Sequence, residues 1–260
     1  MKLKLIAAVV GLALSAASHA AINSTGNAGG SDLLLDVWEQ GATGGQADQS
    51  FTLDLGETFS QFVNTSSSSA TLATLLSTDS TWQSFLSSSD LSSLQWSVIA
   101  SGSHVVGTNA GIFGTAAAGT DPTTSGAFGF PTNSDLQNSN TQIATFIQNL
   151  NATGAAEQVG LKGSGIYYQD LHLSDYNGVS FSNSNAIGTD ATVWSVNTIA
   201  KGTNTAAAVT ELAGTMSFNQ VGGNYVLSYN VAAVPEAPGF GMALAGLAAL
   251  GFLAIRRRNA

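Results

Sequence analysis

Apolar residues are distributed along this chain in two ways, as unbroken runs near both ends and as a spaced pattern between them. In the central region, residues 33–38 and 50–55 are rich in strand-favouring residues and flank a glycine-rich turn at 41–45. Phe51 and Leu53 alternate with polar residues, which is the period of a half-buried strand. The pattern therefore predicts a strand pair at the start of the central region.

The rest of the central region predicts two helices and further strands. Ser80 and Gln83 fit a capping box at the start of a helix over 80–86. Apolar residues at i, i+3, i+4 and i+7 predict a second helix over 143–150. Further strands are predicted at 94–100, 166–171, 192–197, 214–221 and 224–231.

Three segments connect these elements. Residues 21–30 are small and polar and predict a flexible leader, and the Gly, Ala and Thr-rich stretch 102–131 predicts a long irregular excursion. Gly222-Gly223 suits the tight turn of a hairpin. We therefore expect a mainly β fold over 21–233, an antiparallel β-sandwich-like single domain with two or more short helices.

Composition limits the possible partners. The 260 residues include no cysteine, which excludes disulfides, thiol chemistry and cysteine-ligated zinc. Between residues 21 and 235, only Lys162 and Lys201 oppose fifteen carboxylates. Because binding to nucleic acid rests on Lys and Arg, nucleic acid is excluded as a partner.

The N-terminal apolar run predicts a secretory signal peptide over residues 1–20. Lys2 and Lys4 supply positive charge ahead of thirteen apolar or small residues. Small residues at the −3 and −1 positions place signal peptidase cleavage between Ala20 and Ala21. The run is short for a bilayer span, and the alternative is a buried N-terminal helix.

The C-terminal apolar run predicts a transmembrane helix. Residues 239–255 carry no charge and would be about 25 Å long as a helix, near the lower limit for crossing a bilayer. Arg256-Arg257-Arg258 follow at once, and clustered positive charge stays on the cytoplasmic side. Pro235 and Pro238 fix the backbone torsion φ and lack an N–H, so they keep the preceding segment extended. Both ends thus predict that the central domain lies outside and the last residues inside.

Residues 234–260 combine the motif Val234-Pro235-Glu236-Ala237-Pro238, the apolar helix and the arginine cluster, in that order. This arrangement resembles the PEP-CTERM sorting signal, with Ala237 at the third motif position and Pro238 one place later. The strand pair ending in Asp54-Leu55-Gly56 is also similar to one found in many PEP-CTERM proteins. In that family an integral-membrane exosortase recognises the tail of exported proteins, in bacteria that also make exopolysaccharide.

The resemblance implies a route of export. Signal peptidase and exosortase would be partners during export, and exopolysaccharide a partner afterwards. The chain would be anchored transiently in the inner membrane and then reach the cell surface or extracellular matrix.

Candidate catalytic groups are few. After removal of the signal peptide, His104 and His172 are the remaining histidines, and alone they make a weak metal site. Gly163-Ser164-Gly165 lacks the G-x-S-x-G spacing of a nucleophile elbow. We therefore predict no catalytic residue, no metal site and no enzyme activity.

Carboxylate pairs are a second possible source of chemistry. The nearest in sequence are Asp54 with Glu57 and Asp170 with Asp175, the residue types of a glycosidase pair. Fifteen acids give such pairs by chance. No D-x-[DN]-x-[DN]-G calcium loop occurs, so we expect no cofactor beyond non-specific Ca²⁺ association.

Six aromatic residues would either fill a core or form a platform that stacks on sugar rings. They are Trp38, Trp82, Trp96, Trp194, Tyr167 and Tyr168. Each lies in a strand or helix pattern, which favours the core. Asn64-Thr65-Ser66 and Asn151-Ala152-Thr153 match the N-glycosylation pattern.

These observations together favour a non-enzymatic structural or interaction protein of the cell surface or exopolysaccharide matrix. One alternative is a carbohydrate-binding module or carbohydrate-active enzyme of the matrix. Another is a permanently membrane-tethered protein whose tail is never cut.

Overall fold

The computed structural model describes residues 21–24, 29–39, 48–102, 111–117, 132–171, 185–197 and 207–231. Within these ranges the chain forms ten strands, three α-helices and two 3₁₀ turns. The strands are β1 Asp32–Glu39, β2 Gln49–Thr58, β3 Ala70–Leu75, β4 Leu94–Ser101, β5 Gly111–Ala117, β6 Glu157–Leu161, β7 Asn185–Ala186, β8 Asp190–Asn197, β9 Ala208–Val221 and β10 Asn224–Val231. The helices are α1 Phe59–Thr65, α2 Ser80–Ser88 and α3 Asn133–Thr153, and the 3₁₀ turns are Leu91–Ser93 and Tyr168–Leu171.

The ten strands form one curled antiparallel sheet in the order β3-β10-β9-β8-β5-β4-β1-β2-β6, with β7 pairing to β4. The prediction of a mainly β, antiparallel fold with short helices is therefore confirmed. The sandwich-like arrangement is corrected in one respect. A sandwich consists of two separate sheets, whereas here each strand on the path is hydrogen-bonded to the next and all of them belong to one continuous sheet.

The curl of the sheet follows from the contacts of Trp82 on α2. Its ring centroid lies 4.8 Å from that of Phe51 on β2 and 5.1 Å from that of Tyr225 on β10. Six strand spacings of about 4.8 Å would separate β2 from β10 by about 29 Å in a flat sheet. The sheet must therefore curve around α2, and α1 and α2 fill its concave side.

Alternation along β1 divides the core between the two faces of the sheet. Leu33, Leu35 and Val37 belong to the concave cluster, which includes the aromatic residues of α1 and α2. Leu34 and Trp38 point to the convex face, where α3 covers the sheet. Because both faces are covered, all eight residues of β1 are buried.

Helix α3 is longer than the predicted helix over 143–150. It covers the convex face with an apolar stripe that includes Leu136, Ile143, Ile147 and Leu150. The spacing of these residues is that of one face of a helix. The predicted stripe is confirmed, and it extends about two helical turns further towards the N-terminus, to Leu136.

Two predicted segments have a different structure. Residues 166–171, predicted as a strand, end in the 3₁₀ turn Tyr168–Leu171. The stretch 102–131, predicted as irregular, contains β5, which pairs with β4 and β8 on its two edges.

The leader prediction over 21–30 is wrong at Ile22. This side chain is buried at 5% exposure within the convex cluster.

The predicted hairpin near the end of the described chain is confirmed. Gly222 and Gly223 have φ of 59° and 86°, so both adopt the left-handed conformation that a two-residue hairpin turn of this type requires. Strands β9 and β10 pair from Val221 with Asn224 to Gly214 with Val231.

Candidate functional site

Several predicted site residues lie outside the described part of the chain. They are Ala20, His104, His172, Asp175, the sorting motif Val234–Pro238, the apolar run 239–255 and the arginine cluster Arg256–Arg258. Ala21, which follows the predicted signal cleavage site, is described and exposed. The backbone of Asp170 belongs to the 3₁₀ turn, while its side chain is not described.

The predicted pair Asp54 and Glu57 serves local structure. Asp54 Oδ1 accepts the N–H of Gly56 at 2.8 Å, which holds a turn within β2. Glu57 Oε1 accepts the hydroxyl of Thr65 at 3.2 Å, at the C-terminal end of α1. Each carboxylate therefore has a partner close to it in the sequence.

The six candidate aromatic residues are buried, with exposed fractions of 9% or less. Trp82 and Trp96 lie in the concave cluster, while Trp38, Trp194 and Tyr168 lie in the convex cluster. The prediction that these aromatic residues fill the core is confirmed.

The two glycosylation motifs differ in their surroundings. Asn64 is exposed on α1. The amide of Asn151 is engaged, since its Nδ2 donates to the carbonyl of Ile22 at 3.0 Å.

Polar residues form a buried row across four strands on the convex face. Gln158, Thr52, Asp36 and Ser97 are register partners on β6, β2, β1 and β4. The hydroxyl of Thr52 donates to Asp36 Oδ1 at 2.6 Å. Burial raises the pKa of Asp36 to about 8, although the Thr52 hydrogen bond opposes the shift. Burial therefore favours the protonated, uncharged form of Asp36.

Tyr168 covers this row. Its N–H donates to Ser50 Oγ at 2.9 Å, and its ring centroid lies 4.5 Å from that of Trp38. Burial, and then the charge of Asp36, raise the pKa of the Tyr168 hydroxyl. Asp36 and Tyr168 are sealed from solvent, so the row is part of the core.

A second acidic pair joins residues that are far apart in the sequence. Asp79 is the N-cap of α2 and accepts the N–H of Trp82 at 2.9 Å. Burial, followed by hydrogen bonding and charge repulsion from Asp79, raises the pKa of Glu157 to about 7. The two carboxyl groups therefore form a contact between the N-terminal end of α2 and β6.

A groove of about 290 Å³ lies between α3 and residues 165–171. The helix lines it with polar residues, which are Thr141, Gln142, Thr145 and Asn149. Phe146, Tyr167 and Leu171 supply its apolar surface, and Gly165 lies on the side opposite the helix. The sequence carries no local signal for this groove, because its residues come from two segments that meet only in the folded chain.

The side of the groove opposite α3, formed by residues 165–171, is held in place by close backbone packing. A Cβ on Gly160 would lie 2.0 Å from the carbonyl oxygen of Ile166, so residue 160 must lack a side chain. Asn149 Nδ2 donates to the carbonyl of Gly165 at 2.9 Å and ties this segment to α3.

Among the described residues, no helix has the combined length and hydropathy needed to cross a membrane. Their His, Cys, Asp and Glu residues nowhere gather in threes as a metal site would require. In comparisons with known proteins, no family model, curated protein or solved structure matches the chain.

Proposed function

We propose that this chain is an exported structural or interaction protein of the cell surface or exopolysaccharide matrix, sorted by an exosortase. The observation that carries the proposal is the order of three elements at the C-terminus: the motif 234–238, the uncharged run 239–255 and Arg256-Arg257-Arg258. A short apolar helix followed by positive charge holds a translocated chain with its last residues in the cytoplasm. The prolines of the motif favour an extended segment before it, which a processing enzyme could bind.

The central domain over residues 21–233, called the body below, is consistent with a role that does not involve catalysis. Several of its described carboxylates are engaged in structure, with Asp36 in the core, Asp79 at a helix cap and Asp48 in an ion pair with Lys162 at 2.6 Å. Both faces of the sheet are covered around β1, which favours a rigid centre of the domain.

The proposal is tested by expressing the chain in a bacterium with and without its exosortase and fractionating the cells. We expect the protein at the cell surface or in the medium when exosortase is present, and in the inner membrane when it is absent. A variant with Pro235 and Glu236 replaced by Ala should stay in the membrane in both hosts. Identical distribution of both proteins in both hosts would overturn the sorting proposal.

The alternative is a carbohydrate-binding module or carbohydrate-active enzyme of the matrix. The groove beside α3 favours the binding form of this alternative, because hydroxyl and amide groups line it next to apolar surface. A purified body that hydrolysed a polysaccharide would favour the enzyme.

A further inference from the structure

We propose that the groove between α3 and residues 165–171 binds a neutral saccharide unit. The inference deepens the proposed function by naming a class of partner, and it rests on that function in placing the body where polysaccharide is present. Three features of the groove support the inference, which are the chemistry of its lining, the fixed geometry of its walls and its volume.

The polar wall offers hydrogen-bonding groups without charge. The hydroxyls of Thr141 and Thr145 donate to the carbonyls of Gln137 and Thr141, at 2.8 and 2.9 Å. Their oxygen lone pairs therefore remain available as acceptors at the groove. Gln142 adds an amide that both donates and accepts. This set of groups suits the hydroxyls of a sugar.

The lining argues against other classes of small molecule. The described lining residues include neither an acidic nor a basic side chain, so a cation or an anion would lack a charged partner. An anionic ligand would also meet a body with fifteen carboxylates and two lysines between residues 21 and 235. A wholly apolar ligand would displace water from the Thr141 and Thr145 oxygens and the Gln142 amide without replacing its hydrogen bonds, at a cost in free energy. A ligand with hydroxyls and an apolar face satisfies both parts of the lining.

The groove is preorganised. The hydrogen bond from Asn149 Nδ2 to the Gly165 carbonyl joins the two sides of the groove at 2.9 Å. Close packing of the Ile166 carbonyl against Gly160 on β6 fixes the position of residues 165–171. Because the walls are held by contacts within the protein, a ligand need not order them on binding. The volume of about 290 Å³ is at the lower end of the range for ligand sites, which fits one sugar residue of a longer chain.

The test measures binding of the full chain, purified in detergent, to neutral tetrasaccharides of glucose, galactose, mannose and N-acetylglucosamine. Tetrasaccharides of uronic acids form the comparison. Thr145→Trp fills the groove, and Gln142→Ala removes an amide without adding bulk. Gln137→Trp places the same bulk at an exposed position of α3 outside the lining and is the matched control. Unfolding midpoints of all three variants verify folding.

We expect saturable binding of at least one neutral tetrasaccharide, with NMR amide shifts confined to residues 141–149 and 165–171. Thr145→Trp should weaken this binding about tenfold or more, Gln142→Ala should weaken it less, and Gln137→Trp should leave it unchanged. Absence of binding to every neutral probe, tighter binding of uronic acids, or unchanged binding by folded Thr145→Trp would overturn the inference. Cell fractionation reports on export separately, so either proposal can fail alone.

Discussion

The side-chain amide of Asn151 holds the backbone of Ile22 through two hydrogen bonds. Asn151 Oδ1 accepts the N–H of Ile22 at 2.8 Å, and Nδ2 donates to its carbonyl at 3.0 Å. Ile22 lies two residues beyond the predicted cleavage site, and Ala21 before it is exposed. Cleavage after Ala20 would therefore leave this contact intact, so the new N-terminus would begin beside the helix that covers the convex face.

Replacing Asn151 tests this contact. Asn151→Ala removes both hydrogen bonds and leaves the N–H and carbonyl of the buried Ile22 without these partners. We expect the free energy of unfolding to fall by about 1–3 kcal/mol, measured by urea unfolding. Asn64→Ala, at the exposed asparagine of the other glycosylation motif, should change it by less than about 0.5 kcal/mol. Equal midpoints for Asn151→Ala and wild type would contradict the role given to this amide.

The buried carboxyl of Asp36 predicts a specific pH dependence of stability. Its pKa is raised from 3.8 to about 8, so the folded chain binds a proton that the unfolded chain releases between these values. Stability should therefore fall as pH rises through this window, by at most about 1.4 kcal/mol per pH unit from this group. Asp36→Asn keeps a neutral acceptor for Thr52 and should flatten the dependence.

The measurement is urea unfolding of wild type and Asp36→Asn at pH 5, 6.5 and 8. Asp190→Asn, at an exposed position on β8, controls for the loss of one carboxylate. If the two variants have the same slope against pH, Asp36 is not the titrating group.

Gly160 is expected to tolerate no side chain. In Gly160→Ala the new Cβ would overlap the Ile166 carbonyl, and backbone on both sides of the contact would have to shift. We expect a loss of about 3 kcal/mol in unfolding free energy. Gly188→Ala is the comparison, because its Cβ would meet nothing within 4 Å and only its positive φ of 90° is strained. The account fails here if Gly160→Ala is the milder variant.

Trp82 is expected to hold the concave core together. Its ring contacts Phe51, Phe85, Phe218 and Tyr225 at centroid distances of 4.8–6.1 Å. Trp82→Ala should cost about 3–5 kcal/mol in unfolding free energy. Trp82→Phe retains an aromatic ring and removes a buried indole N–H that lacks an acceptor among the described atoms, so it should cost less than about 1.5 kcal/mol. Similar losses for the two variants would argue against packing as the main role of this side chain.

Local sequence patterns predicted the elements whose side chains alternate or follow helical spacing. The hairpin of β9 and β10 and the apolar stripe of α3 are examples. Helix α1 was not predicted, although the sequence contains a signal for its start. Thr58 and Gln61 form a complete capping box there. Strand β5 carried little local signal, because Gly and Ala disfavour strands. Its conformation is determined by the partners on both of its edges.

The groove and the buried acids depend on contacts between distant segments. Asp36 could be placed from the alternation of β1, which puts it between Leu34 and Trp38 on one face. The contact of Glu157 with Asp79 had no signal in the sequence. Residues 166–171 have aromatic side chains typical of a strand. The segment instead lies across β2 and β6, because the Ile166 carbonyl packs against Gly160 and the Tyr168 N–H donates to Ser50 Oγ.

Mass spectrometry of both termini of the native protein, recovered from spent medium and from membranes, tests export and sorting most directly. Our account predicts a first residue of Ala21 in both fractions. It also predicts that the protein in the medium lacks Arg256-Arg257-Arg258, while a membrane pool retains them. A folded cytoplasmic protein that begins at Met1 and ends at Ala260 would contradict it.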